Sequence, residues 1–223
     1  MAKQTNCGDD VHSALLNTYS TNRVYVFTMR RPKPSVVKGL MVNTTSTSAD
    51  PLWRQLSPFF LGPVELYDNH ISQNVENGWQ YCKVFPEDVN DMNSYWRWAQ
   101  AGWNDTKAHR FPTLLDGTSC KGKRPAYSLW KGRKLNYIEA RKEIYCPLYS
   151  EAVQKTDAYR ELKRLYDLGH TICLLDHDGW DHIGQGYTLE EVINLPKPKM
   201  GHSFVLAGLL EGDNFWDTVT IYI

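Results

Sequence analysis

The chain lacks a net charge. Its 25 lysines and arginines are balanced by 25 aspartates and glutamates. A protein held to nucleic acid by long-range attraction to the phosphate backbone would carry a basic surplus, so that class is disfavoured. A local basic pocket for one phosphate or nucleotide is not. The 5 cysteines are odd in number and show no CxxC spacing. Cys82, Cys146 and Cys173 lie inside apolar patterns, where a free thiol behaves as a small hydrophobe. The opening MAKQTNCGDD has no apolar core of a secretory signal, and no apolar run is long enough to span a bilayer. A reduced, cytoplasmic compartment without a membrane partner is the expectation. Signature loops are missing as well. GTSCKGKRP (117–125) combines glycines and basic residues without Walker spacing, and neither an HExxH pair nor an EF-hand frame is present.

Aromatic rings are what the chain has in quantity, with 8 tryptophans and 13 tyrosines. Both rings join a large apolar area to a polar handle, which suits a dense core and also a cleft that stacks a flat ligand. A length of 223 residues suffices for one large domain with a real core. Residues 1–22 read as a polar N-terminal segment, and 23–223 as a single domain with a C-terminal extension from about 188. The expected class is α+β: mostly helical, with a small β element near the N-terminus and a buried strand at 170–176.

Periodicity places the parts. RVYVFTM (23–29), GLMVNTTS (39–46) and PVELYD (63–68) read as strands. VENGWQYCKVF (75–85), SYWRWAQAGW (94–103), KLNYIEARKEIY (134–145) and TDAYRELKRLYDLG (156–169) have helical spacing, and Asp105 or Thr106 could cap a further short helix. Pro147 is expected to stop the helix at 134–145, and Gly169 to end the one at 156–169. TLEE (188–191) has capping-box spacing, GHSFVLAGLL (201–210) reads as a buried helix, and TVTIYI (218–223) as a closing strand.

Three stretches could carry chemistry. Glu76, Gln80 and Lys83 stand at i, i+4 and i+7, on one helical face beside Trp79. An exposed Glu–Lys face is the commoner meaning of such spacing. On the helix at 134–145, Lys142 interrupts an otherwise apolar stripe, so it snorkels or meets an anion. LLDHDGWDH (174–182) crowds Asp176, His177, Asp178, Asp181 and His182 into the end of a buried strand. Regular zinc or calcium spacing is absent from it, and a hydrogen-bonded turn is its bland meaning. A carboxylate cluster at a cleft edge is the reading preferred over a metal site.

The order of these motifs resembles the NADAR (YbiA-like) family. LSPFFLGPVELYDNHISQNVENGWQYCKVF (56–85) is similar to that family's opening, with Val75-Glu76, Gln80 and Lys83 in register with its SVEHAYQAAK-like helix. KAHRFP (107–112), LWKGRKLNYIEARKEIY (129–145) and TICLLDHDGWDH (171–182) follow as counterparts of later family segments. The likeness spans roughly residues 56–182. The family's His is Asn77 here, its SNF turn is SPFFLG, and its final WG is WDH. The resemblance implies a hydrolase that cleaves an N-glycosidic bond, acting on a nucleotide, an ADP-ribosyl or ribosyl-phosphate compound, or ADP-ribosylated nucleic acid. It implies Glu76, Asp178 and Asp181 as catalytic groups. Trp79, Gln80, Lys83, Arg110, Trp130, Arg133, Lys142 and Asp176 would bind substrate, with no metal and no cofactor. The alternatives are a non-catalytic binder of NAD or ADP-ribose-type nucleotides and an aromatic scaffold without a ligand.

Overall fold

Two apolar segments, Val24–Thr28 (β1) and Leu40–Asn43 (β2), do not pair with each other. Ile172–Asp176 (β8) inserts between them, parallel to both, in the order β1-β8-β2. A parallel central strand is buried on both faces and reads as a continuous apolar run, as ICLLD does. The computed structural model describes residues 23–30 and 37–217. The expected polar segment at 1–22 and closing strand at 218–223 lie outside the described residues. The remaining strands are short: Val64–Glu65 (β3) pairs with Ile71–Ser72 (β4), and Lys83–Val84 (β5), Tyr127–Trp130 (β6) and Arg133–Leu135 (β7) form an antiparallel sheet.

Helices pack around these sheets, and the class is α+β. They are Pro51–Arg54 (α1), Val75–Gln80 (α2), Met92–Asn104 (α3), Tyr137–Ala140 (α4), Cys146–Val153 (α5), Asp157–Asp167 (α6), Leu189–Asn194 (α7) and His202–Glu211 (α8). Local signals explain most ends. Asn74 accepts from the Asn77 amide to start α2, Thr188 and Glu191 complete the capping box of α7, and Gly169 at φ 89 follows α6. Helix α8 has almost no polar face because it is enclosed, with Phe204, Val205 and Leu206 fully buried in the main core. The four described cysteines are buried and form no disulfide among the described residues. Among the described residues no helix is long and apolar enough to cross a membrane.

Three sequence expectations are corrected. Helix α2 ends at Gln80, and Lys83 belongs to β5, because the backbone of Lys83–Val84 pairs with Ser128 and Tyr127. Asp105 starts no helix; it closes α3, and its carboxylate accepts from the Lys107 amide. Pro147 does not stop the helix at 134–145. A π turn at Arg141–Tyr145 joins α4 to α5 and shifts the hydrogen-bond register just before the proline, whose missing N–H is thereby accommodated at the start of α5. The turn also rotates the following side chains relative to a 3.6-residue stripe.

His182 is a core histidine. It is 4 % exposed, lies edge-on to Phe204 at 5.3 Å between ring centres, and its Nδ1 has no hydrogen-bond partner among the described residues. Burial pushes its imidazole down from 6.5 to about 4. Between those values the unfolded chain binds a proton that the folded chain refuses, so stability falls as pH drops through that window. His182→Leu is expected to reduce the stability lost between pH 7 and pH 4.5 by roughly 2–3 kcal/mol, as read from urea denaturation of the two proteins at each pH.

Candidate functional site

A cleft of about 1140 Å³ opens where the C-terminal end of β8, helix α2 and the region around the π turn converge. Its floor is the first turn of α2. Glu76 is buried there, 6 % exposed, and its Oε1 accepts from Gln80 Nε2 at 2.8 Å. Gln80 Oε1 accepts in turn from Lys83 Nζ at 2.6 Å, and the Lys83 ammonium lies over the Trp79 ring at 4.4 Å. The line Glu76–Gln80–Lys83 therefore survives the end of the helix: Lys83 returns to it from the following strand. Burial raises the Glu76 carboxyl above its usual range, against the pull of Gln80, Lys83, Arg110 and His202. Burial also lowers the Lys83 ammonium, against Cys82 and Glu76. Both shifts disfavour charge, which a desolvated carboxylate recovers when a cation develops beside it. Trp79 and Tyr145 form an aromatic pair along this floor, 5.2 Å apart.

Arg110 and Asp178 meet across the cleft at 3.0 Å, one from the loop after α3, the other from the loop after β8. Asn77 places the first of these loops. It is fully buried and gives Nδ2 to the carbonyls of Asp105 and Lys107, both at 2.9 Å, while Oδ1 accepts from the His109 amide at 2.8 Å. Asp176 also borders the cleft, but its carboxylate is occupied. It accepts from the Ser203 amide at 3.2 Å and the Asp178 amide at 3.3 Å, and lies 3.1 Å from His202 Nδ1. The other His202 nitrogen faces the Thr44 carbonyl at 2.9 Å, so it must donate there and cannot serve as a free base.

Glu76, Trp79, Gln80, Lys83, Arg110, Asp176 and Asp178 thus come together in one cleft. Four sequence candidates are elsewhere. Asp181 accepts from the Gly184 amide in the turn after β8, and Trp130 is buried against Tyr67. Arg133 pairs with Glu143 at 2.7 Å on the surface, and Lys142 is half-buried outside the cleft lining. Sequence reasoning missed Arg141, Tyr145, Lys197, Lys199 and His202, all of which border the cleft. Arg141 carried a faint signal, being next to the singled-out Lys142. No group of three or more His, Cys, Asp or Glu side chains is placed to hold a metal ion among the described residues.

Asn77→Ala removes three hydrogen bonds to the loop that carries Arg110. A loss of about 1–3 kcal/mol in unfolding free energy is expected, measured by chemical denaturation, with hydrogen exchange rising at the His109 amide.

No curated protein and no solved structure matches the chain. The match to known families covers residues 28–185, which include Glu76, Arg110, Arg141 and Asp178 but stop short of the wall at 196–202. Over that span, more than half of its length, the chain belongs to a family of unknown function, DUF6939.

Proposed function

We propose that the cleft hydrolyses the N-glycosidic bond of an ADP-ribosyl or ribosyl-phosphate compound. The observation that carries this reading is the buried Glu76 carboxyl, fixed by Gln80 and Lys83 at the floor of a cleft rich in cations. Seven lysines and arginines border that cleft against three carboxylates, in a chain whose formal charge is zero. Such a surplus favours an anionic ligand, and the NADAR resemblance of the Glu76 segment supplies the reaction class.

In this scheme the ribose C1′ lies beside Glu76. As the C1′–N bond breaks, the sugar gains oxocarbenium character, and the carboxylate stabilises it and orients the attacking water. Gln80 holds the carboxylate in one orientation. Lys83, linked to it through the Gln80 amide, anchors that orientation. Trp79, half-buried in the cleft lining, is the ring placed to meet a flat base. Arg110 neutralises phosphate, and on doing so exchanges its partner Asp178 for the ligand. Asp178, released, accepts the proton that the attacking water loses, and that proton is passed to the departing nitrogen.

A specific observation favours the second reading, a binder without turnover. Asp178 is paired with Arg110, and Asp181 is turned toward Gly184, so Glu76 stands without a second uncommitted carboxylate.

One assay separates the two. NAD, ADP-ribose, a ribosylamino-pyrimidine phosphate and an oligonucleotide carrying ADP-ribosylated guanine are incubated with wild type and Glu76→Gln in EDTA, and products are resolved by chromatography. The enzyme reading expects a released base or ADP-ribose, with the variant slower by about 10²–10³-fold. It also expects a rate that rises with pH through a limb above the ordinary carboxylate range, since burial raises Glu76 and the ionised form works. Release that is equal in the two proteins would remove Glu76 from the chemistry. Retained ligand without product would leave the binder.

A further inference from the structure

Arg141 opens the π turn, borders the cleft and is 1 % exposed. A buried guanidinium ordinarily has a carboxylate beside it, because an uncompensated charge away from water is costly. Arg141 has none among the described residues. Its partners are neutral acceptors: Nη1 donates to the carbonyls of Ile193 at 3.3 Å and Leu195 at 2.5 Å, and Nη2 to the Tyr137 hydroxyl at 2.9 Å. The Tyr137 ring face lies 4.2 Å from its carbon centre. The two carbonyls belong to the C-terminal end of α7, so one function of the side chain is to cap that helix. That function leaves the Nε edge unused, and Nε is buried without a partner among the described residues. Five N–H donors in a fixed fork are matched by three acceptors.

The chain leaving Leu195 forms the adjoining wall of the cleft. It carries Lys197 and Lys199, both exposed, and neither has a hydrogen bond or ion pair among the described residues. Lys199 is near enough to Lys83 for the two ammonium groups to repel. Like charges gathered around one opening, with a guanidinium lacking an anion behind them, are stabilised together when an anion enters. The wall lies beyond residues 28–185, over which the chain matches its family.

We propose that Arg141, Lys197 and Lys199 form a phosphate subsite at the wall that the chain between α7 and α8 adds to the cleft. It takes a phosphate group of the ligand, with Arg141 supplying the enclosed charge and the two lysines the contacts at the mouth. The inference rests on the reading of this cleft as the ligand site, and not on the reaction assigned to Glu76.

Inorganic phosphate is the probe, titrated by calorimetry and by thermal melting at constant ionic strength set with chloride. Four proteins are compared: wild type, the double substitution Lys197→Ala with Lys199→Ala, Arg141→Lys, and a charge-matched control, Lys155→Ala with Lys163→Ala, on exposed surface outside the cleft lining. Wild type and the charge-matched control are expected to bind phosphate with equal affinity and to melt higher in its presence. The double substitution touches only exposed side chains, so it remains informative if Arg141→Lys disturbs the end of α7. It is expected to weaken binding at least tenfold, with its melting temperature without phosphate unchanged. No phosphate binding by wild type, or binding untouched by the double substitution, overturns the subsite. An equal loss of binding in the charge-matched control overturns it as well, because general charge would then account for the binding. Absence of turnover in every protein, with phosphate binding and its loss as expected, sinks the glycosidase reading alone.

Discussion

Asp176 ends the central strand 3 % exposed, and a carboxylate so placed must find donors nearby or cost several kcal/mol. It finds them in two directions at once. The Asp178 amide holds the loop that follows β8, and the Ser203 amide and His202 ring hold the start of α8. Gly201 makes the approach possible: a Cβ there would stand 2.1 Å from Asp176 Oδ2. The neighbouring Thr44 hydroxyl reaches both Ser203 Oγ and the Leu175 carbonyl, so β2, β8 and α8 share one buried polar junction. Because α8 is fixed there, the chain from α7 to α8 has to run along the cleft, and the second wall follows.

Charge is neutral in total and uneven in space. The exposed face of α6 satisfies its own charges along the helix, with Arg160 beside Asp157, Lys163 beside Asp167 and Arg164 beside Glu161. Pairs of this kind contribute little to stability, yet they use up carboxylates far from the cleft. The cations around the opening are left with few anions of their own. A pI near neutrality therefore says nothing about the field inside the cleft.

Much of this was legible in the residues. The strand at 170–176 followed from its apolar run, α7 from its capping box, and the Glu76–Gln80–Lys83 line from its spacing, although Lys83 proved to sit on a strand. The spacing worked because the turn after Gln80 is tight enough for Lys83 to reach back. The misses have definite causes. Reading a 3.6-residue stripe from Leu135 to Tyr145 selected Lys142, but Leu135 is in β7, the helix begins at Tyr137, and the π turn puts Arg141 toward the cleft instead. Asn77 looked like the loss of a histidine, whereas its three hydrogen bonds place the Arg110 loop. The wall at 196–202 gave no local signal, since only the long-range seating of α8 against Asp176 brings it there.

The insertion of β8 between β1 and β2 also bears on how the chain reaches this state. Thr44 and its partner Leu175 are 131 positions apart, and neither early strand has its neighbour until β8 has been made. Closing so long a loop before any pairing is rewarded slows formation of the sheet. During synthesis β1 and β2 wait with open edges, and a chain interrupted before Ile172 keeps them open, exposing apolar strands to pairing with other chains.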